Sequence, residues 1–137
     1  MTYLLDSNIV SYILKKVATV NNKLQEVNLR GEEIFISCIT YYEIKRGLLA
    51  INATRQLADF HQFCKDYKIL FLDDIKIIER ACDIHVDLKR RGLTIKEQDI
   101  LIAATAIARG LILVSNDSDL LRVQGINLEN WVLISEI

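Results

Sequence analysis

Four short runs of apolar, β-leaning residues, at positions 3–5, 34–36, 69–72 and 111–114, alternate with stretches of helical periodicity. No other feature constrains the fold as tightly. Strands this short and this uniformly apolar suit a parallel sheet buried on both faces. A further run at 132–134 is a candidate fifth strand. Alternation of strands and helices implies an α/β chain, a three-layer α/β/α sandwich around a central, mostly parallel sheet of four to five strands.

The clearest helical pattern spans residues 75–91, with Ile77, Ile78, Ala81, Cys82, Ile84, His85 and Leu88 on one stripe and Gly92 as its stop. Thr94 and Glu97 stand at capping-box spacing and open a second helix over residues 95–109. Residues 100–108 of that helix are so apolar that burial nearly all round is expected, and Gly110 ends it. A third helical region covers residues 40–67, with a break expected near Gly47 or Asn52.

Neither a linker nor an internal repeat divides the chain, and its 137 residues are expected to form a single domain over residues 1–137. Just over half of them are apolar, which excludes intrinsic disorder. The three cysteines, Cys38, Cys64 and Cys82, are widely spaced with no CxxC pair, and read as reduced core thiols of a cytoplasmic protein. The N-terminal stretch reaches the carboxylate of Asp6 too early for a signal peptide, and the longest apolar stretch falls well short of the ~20 residues a membrane span requires. A net charge of −1 offers no electrostatic footprint for nucleic acid. A bound cation would supply that attraction locally.

Carboxylates recur where the topology draws segments together. Asp6 follows the first apolar run, and Asp117 lies just past the run at 111–114. In an open parallel sheet, ligands bind in the crevice beyond the strands' carboxyl ends. Glu43 sits in the first turns of the helix after 34–36, and Asp99 lies early in the most apolar helix, where an unpartnered carboxylate is costly. Taken singly, Asp6 and Asp117 read as turn formers or caps, and Glu43 as compensation of a helix dipole. Taken together they raise a different possibility. Two carboxylates ~4 Å apart at an effective dielectric near 20 repel by about 4 kcal/mol, so such a cluster calls for protonation or a metal ion. Oxygen donors suit Mg²⁺ or Mn²⁺ rather than zinc, and such an ion makes in-line hydrolysis of a phosphodiester feasible without a nucleophilic side chain.

The motifs that carry these acids, Leu4-Leu-Asp-Ser-Asn-Ile9, Ile36-Ser-Cys-Ile-Thr-Tyr-Tyr-Glu43, Asp99-Ile-Leu-Ile-Ala-Ala-Thr-Ala106 and Val114-Ser-Asn-Asp-Ser-Asp119, resemble in order and separation those of PIN domains, most closely VapC-type ribonuclease toxins. The resemblance extends through Val123-Gln-Gly-Ile126 and Asn130-Trp131. It implies metal-binding roles for Asp6, Glu43, Asp99 and Asp117, with Glu43 acting through water. Ser7, Asn8 and Ser115 become ligand-orienting residues, and Asp119 an additional acidic position. It further implies Mg²⁺- or Mn²⁺-dependent endoribonuclease activity, a homodimer, and inhibition by a VapB-type antitoxin. The final loop is one residue shorter than is common, which leaves the fourth ligand open between Asp117 and Asp119. Lys96 stands where relatives often carry glycine, making the entrance more basic.

Other residues weigh less. His85, on the apolar stripe, reads as a core or half-buried residue, and His61 offers no better acid–base candidate. Lys45 and Arg46, near Glu43, are candidates for RNA phosphate contacts, with Lys96 a third, whereas the run Lys89 to Arg91 reads as a solvated helix end. Tyr12, Tyr41, Tyr42 and Trp131 read as packing rather than base stacking. Two other functions compete. An aspartate-based phosphatase needs a second Asp two residues after the first, and Asn8 stands there instead. A catalytically inactive PIN scaffold that binds RNA or protein is the other, although all four acidic positions are filled.

Overall fold

The computed structural model describes residues 1–132. Its elements follow as β1 (Thr2–Leu5), α1 (Ser7–Leu14), α2 (Ala18–Leu29), β2 (Glu33–Ser37), α3 (Cys38–Ala50), α4 (Thr54–Asp66), β3 (Lys68–Leu70), α5 (Ile75–Arg90), α6 (Glu97–Ala108), β4 (Ile112–Val114) and β5 (Leu128–Glu129), with a 3-10 turn at Ser118–Arg122 between the last two strands. The five strands pair in the order β3-β2-β1-β4-β5, all in parallel.

Strand periodicity explains the three layers. Side chains alternate between the faces of a strand, and Tyr3 and Leu5, Ile34 and Ile36, and Ile112 and Val114 all point to one side. There they pack against Ile9, Val10, Val20, Val27, Ile44, Phe60 and Phe63 from α1 to α4. Leu4, Leu113 and Leu70 point the other way, onto Ile77, Ala81, Ile84 and Leu88 of α5 and the apolar surface of α6. The sandwich expected from the sequence is therefore present, with the sheet wholly parallel.

Several local expectations change. The fifth strand is Leu128–Glu129, not residues 132–134; Val132 lies in a bend, and Leu133 and Ile134 fall outside the described residues. The helix expected from residue 95 begins at Glu97, because Lys96 holds an extended backbone at the N-cap and no side chain caps the end; the Thr94 capping box does not form. The long helical region breaks at Asn52, whose φ of 54° turns the chain between α3 and α4, while Gly47 continues α3. Residues 100–106 of α6 are buried apart from Leu101, as their composition implies.

The α5 stripe is narrower than expected. Only Ile77, Ala81, Ile84 and Leu88 are buried, whereas Ile78, Cys82 and His85 are exposed. A helix lying on one neighbour buries the residues at i, i+4, i+7 and i+11, and those displaced by one position fall outside the contact. His85 therefore faces solvent with its Nδ1 3.6 Å from Glu97, and Cys82 is not a core thiol. Cys38 and Cys64 are half-buried, and burial raises the Cys64 thiol.

No helix among the described residues is long and apolar enough to cross a membrane.

Candidate functional site

Strand order creates the crevice. From β1 the chain crosses to β2 on one side, while β4 returns to the other, so the topology reverses between β1 and β4. Leu5 pairs with Val114, and the next residue on each strand, Asp6 and Ser115, therefore meets the other at the carboxyl end. The backbone N–H of Asp6 donates to the Val114 carbonyl at 2.9 Å. Its carboxylate, only 4% exposed, accepts from the Ser115 hydroxyl at 2.7 Å on Oδ2 and from the Ser7 N–H at 2.8 Å on Oδ1. Asn8 Nδ2 adds contacts of 3.4 Å to Asp6 Oδ2 and 3.2 Å to Ser115 Oγ. Burial pushes the Asp6 carboxyl above its ordinary range; the bonds from Ser115 and Ser7 oppose that shift, and the charges of Glu43 and Asp117 add to it. Asp6 is thus both the N-cap of α1 and a held carboxylate, two roles that do not exclude each other.

Glu43 reaches the same place from α3. Ser37 ends β2 and caps α3 by accepting from the Ile39 N–H at 3.1 Å, which sets Glu43 in the helix's second turn. Ser7 Oγ lies 2.8 Å from Glu43 Oε1 and 3.2 Å from Thr40 Oγ1. A hydroxyl has one proton. Ser7 gives it to the carboxylate, so the Thr40 hydroxyl is the donor in the longer contact. Ser7 therefore links Asp6, through its backbone, to Glu43, through its side chain.

Asp99 stands in the first turn of α6, half-buried, and no hydrogen bond to its carboxylate occurs among the described residues. Burial first, and then the charges of Asp6, Asp117 and Glu43, raise it to about 6, with Lys96 pulling the other way. Asp117 is half-buried, caps the 3-10 turn by accepting from the Asp119 N–H at 2.9 Å, and donates its own N–H to Ser115 Oγ at 3.0 Å. Asp119 is exposed and paired with Arg122 at 3.2 Å. Of the two acids, it is Asp117 whose charge acts on both Asp6 and Asp99.

Asp6, Glu43, Asp99 and Asp117 thus share one electrostatic locality. Among the described residues, no three His, Cys, Asp or Glu side chains close around a single point at metal-ligand spacing. The groups present are carboxylates, hydroxyls and an amide, an oxygen-rich set that fits a hard divalent cation such as Mg²⁺ or Mn²⁺ and does not fit zinc.

The basic candidates divide. Lys96 is exposed at the N-cap of α6, close enough to act on Asp99. Lys45 turns instead toward α4, its Nζ 3.1 Å from the Tyr41 hydroxyl and its charge acting on Cys64. Arg46 stacks on the ring of Tyr42, its Cζ 4.8 Å from the centroid. Tyr42 itself is 60% exposed and so departs from the packing role expected of it, whereas Trp131 is buried edge-on to Tyr3 and Tyr41 packs on Phe60. His61 is exposed.

Thr40, Asn116 and Asn130 stand within or beside the motifs, but sequence reasoning gives none of them a role. Thr40 is fully buried beside Ser7, and its place three residues after the capping Ser37 is the only signal it leaves in the sequence. Asn116 contacts Asn8, Tyr12 and Asn130, which lie 108, 104 and 14 residues away, and no local pattern announces contacts of that kind.

The sequence and the fold have counterparts among known proteins. The chain is 34% identical over 134 residues to Ribonuclease VapC2 of Haemophilus influenzae, covering 96% of this chain and 99% of that one. It is 28% identical over 137 residues to the tRNA(fMet)-specific endonuclease VapC of Salmonella typhimurium, covering 96% and 98%. The crystal structure of VapBC2 from Rickettsia felis bound to a DNA fragment from their promoter superposes with a TM-score of 0.88 at 27% identity, covering 96% of this chain and 100% of that one. Residues 3–126 match the PIN domain model, a span that holds all four carboxylates, all of β1 but Thr2, and β2 to β4, and the chain belongs to the PIN domain family.

Proposed function

We propose that this protein is an endoribonuclease that hydrolyses RNA phosphodiester bonds with the help of Mg²⁺ or Mn²⁺ and acts as the toxin of a type II toxin–antitoxin pair. The observation that carries the reading is Asp99. A half-buried carboxylate in the helix with the most buried residues, raised to about 6 by burial and by three neighbouring acids, is costly to the fold. Such an arrangement is expected where a cation is to be held.

In this reading Asp6, Asp99 and Asp117 hold the ion and Glu43 reaches it through water. When bound, such a cation would supply activation of water and would offset charge on the phosphodiester. The residues of the chain do the rest. Ser115 and Asn8 fix the orientation of the Asp6 carboxylate, and Ser7 holds Glu43 against it. Lys96 at the entrance offers a cation to an approaching phosphate.

The similar proteins named as ribonucleases and as a tRNA-specific endonuclease support the reaction class, since this chain spans nearly their full length. The similar VapBC2 complex supports a VapB-type antitoxin as partner. A cytoplasmic homodimer is the assembly we propose with it. The test is incubation of the pure protein with structured RNA in Mn²⁺ and then in EDTA. Cleavage in the first and none in the second is expected. Absence of cleavage from a protein shown to bind Mn²⁺ would replace this reading with an inactive scaffold.

A further inference from the structure

A second tier of hydrogen bonds lies behind the carboxylates, and its donors and acceptors run in one direction. The Val132 N–H donates to Asn130 Oδ1 at 2.9 Å, which fixes the amide of Asn130. Asn130 Nδ2 then donates to Asn116 Oδ1 at 2.9 Å, which fixes the amide of Asn116. Asn116 Nδ2 donates in turn to the Tyr12 hydroxyl at 3.3 Å. Asn116 is thereby clamped between α1 and the segment that leaves β5.

The backbone of the clamped residue faces the site. Its N–H donates to Asn8 Oδ1 at 3.1 Å. That bond decides which end of the Asn8 amide points at the carboxylate. Reversed, the amide would set its oxygen against Asp6 Oδ2 and its NH₂ against the Asn116 N–H, a repulsion at each end. In the arrangement present, Asn8 Nδ2 faces Asp6 Oδ2 and Ser115 Oγ. Ser115 Oγ accepts from Asn8 and from the Asp117 N–H and donates its one proton to Asp6, so its hydrogen-bonding capacity is filled.

We propose that Asn116, braced by Tyr12 and Asn130, is a positioning residue for the carboxylate of Asp6 and acts through the amide of Asn8. The inference rests on the metal-binding role given to Asp6 above. Outer partners that orient a ligand are typically worth about 10–100-fold in metal affinity, and a brace one step further out is expected to contribute about three- to tenfold. The clamp joins three segments distant in sequence, so its effect falls on the geometry of the site rather than on any one helix.

The experiment is Mn²⁺ titration of the full-length protein, free ion being read by electron paramagnetic resonance, together with kcat and KM on an RNA substrate. Tyr12→Phe removes one hydroxyl behind Asn116 and touches neither Asn8 nor a carboxylate. It is expected to weaken Mn²⁺ binding by about three- to tenfold and to lower kcat with KM for RNA unchanged. In an Asn8→Ala background the same substitution is expected to change nothing, because the path through Asn8 is gone. Asn116→Ala should reproduce the loss; if it fails to fold, Tyr12→Phe carries the test alone. Unaltered Mn²⁺ affinity in Tyr12→Phe, or an equal loss with and without Asn8, would overturn the inference. Wild-type protein that binds Mn²⁺ but cuts no RNA would overturn the proposed reaction, and the brace would still be judged by affinity. Wild-type protein that takes up no Mn²⁺ would overturn both.

Discussion

The Ser115 hydroxyl donates to Asp6 Oδ2 across 2.7 Å, joining the end of β4 to the end of β1 at the point where the strand order reverses. Both residues are buried, and the same serine oxygen accepts the Asp117 N–H, so one side chain serves two acids that approach from different strands.

Replacing it by alanine should therefore be expensive. Ser115→Ala leaves Asp6 Oδ2 with the longer contact from Asn8 and leaves the Asp117 N–H without its acceptor. Hydrogen bonds to charged groups contribute about 1.5–3 kcal/mol, and a loss of that order is expected in urea unfolding, together with reduced cleavage. Unchanged stability would mean that water replaces the hydroxyl at no cost.

Asp6→Asn separates a binding role from a capping one. The variant keeps an oxygen for the Ser7 N–H and removes a buried charge that repels Glu43 and Asp117. Cleavage should disappear, the apo protein should lose less stability than Ser115→Ala does, because the bond lost at Oδ2 is offset by removal of a buried and repelled charge, and the stabilisation that Mg²⁺ provides by mass action should shrink. Since Asn preserves the cap, a large loss of apo stability would contradict the repulsion among the four acids.

The Asp99 carboxyl gives a pH dependence of definite sign. Its value in the fold, about 6, lies above the ordinary 3.8, so folding favours its protonated form. The associated stability is present below the ordinary value and is lost as pH rises through about 6. Asp99→Asn cannot ionise. In urea unfolding with EDTA, the variant should gain on the wild type as pH is raised from 4 to 7. A constant difference across that range would contradict the desolvation of Asp99.

Lys96 tests the entrance. Lys96→Ala should raise KM for RNA with little change in kcat, and should reduce the slope of log affinity against log salt by about 1. A fall in kcat at constant KM would place Lys96 in the chemistry instead.

Much of this architecture is legible in one dimension. The runs at 3–5, 34–36 and 111–114 become β1, β2 and β4 because a short, uniformly apolar, β-leaning run is a local property. Asp6, Glu43, Asp99 and Asp117 are legible for a related reason: each lies within a few residues of a strand end or a helix start, so its position follows from the element that carries it, whereas the choice between Asp117 and Asp119 does not. Helices α1 and α2 are not anticipated, since α1 is short and α2 buries only Val20 and Val27. The two-residue β5 is too short to show a period; it exists because β4 pairs with it, through Leu113 N–H to the Asn127 carbonyl and Ser115 N–H to the Glu129 carbonyl.

By itself, then, the sequence determined the α/β layering and the four acidic positions, with Asp119 as a competitor, all of which depend on short local stretches of chain. Tertiary structure decided what depends on which strands become neighbours. It set Asp117 rather than Asp119 within electrostatic reach of Asp99, because Arg122 pairs with Asp119 on the exposed side of the 3-10 turn. It exposed His85 by choosing which edge of α5 meets α6. It also brought Tyr12, Asn116 and Asn130 together behind Asp6, since bonds between residues up to 104 positions apart follow from chain topology and not from local pattern.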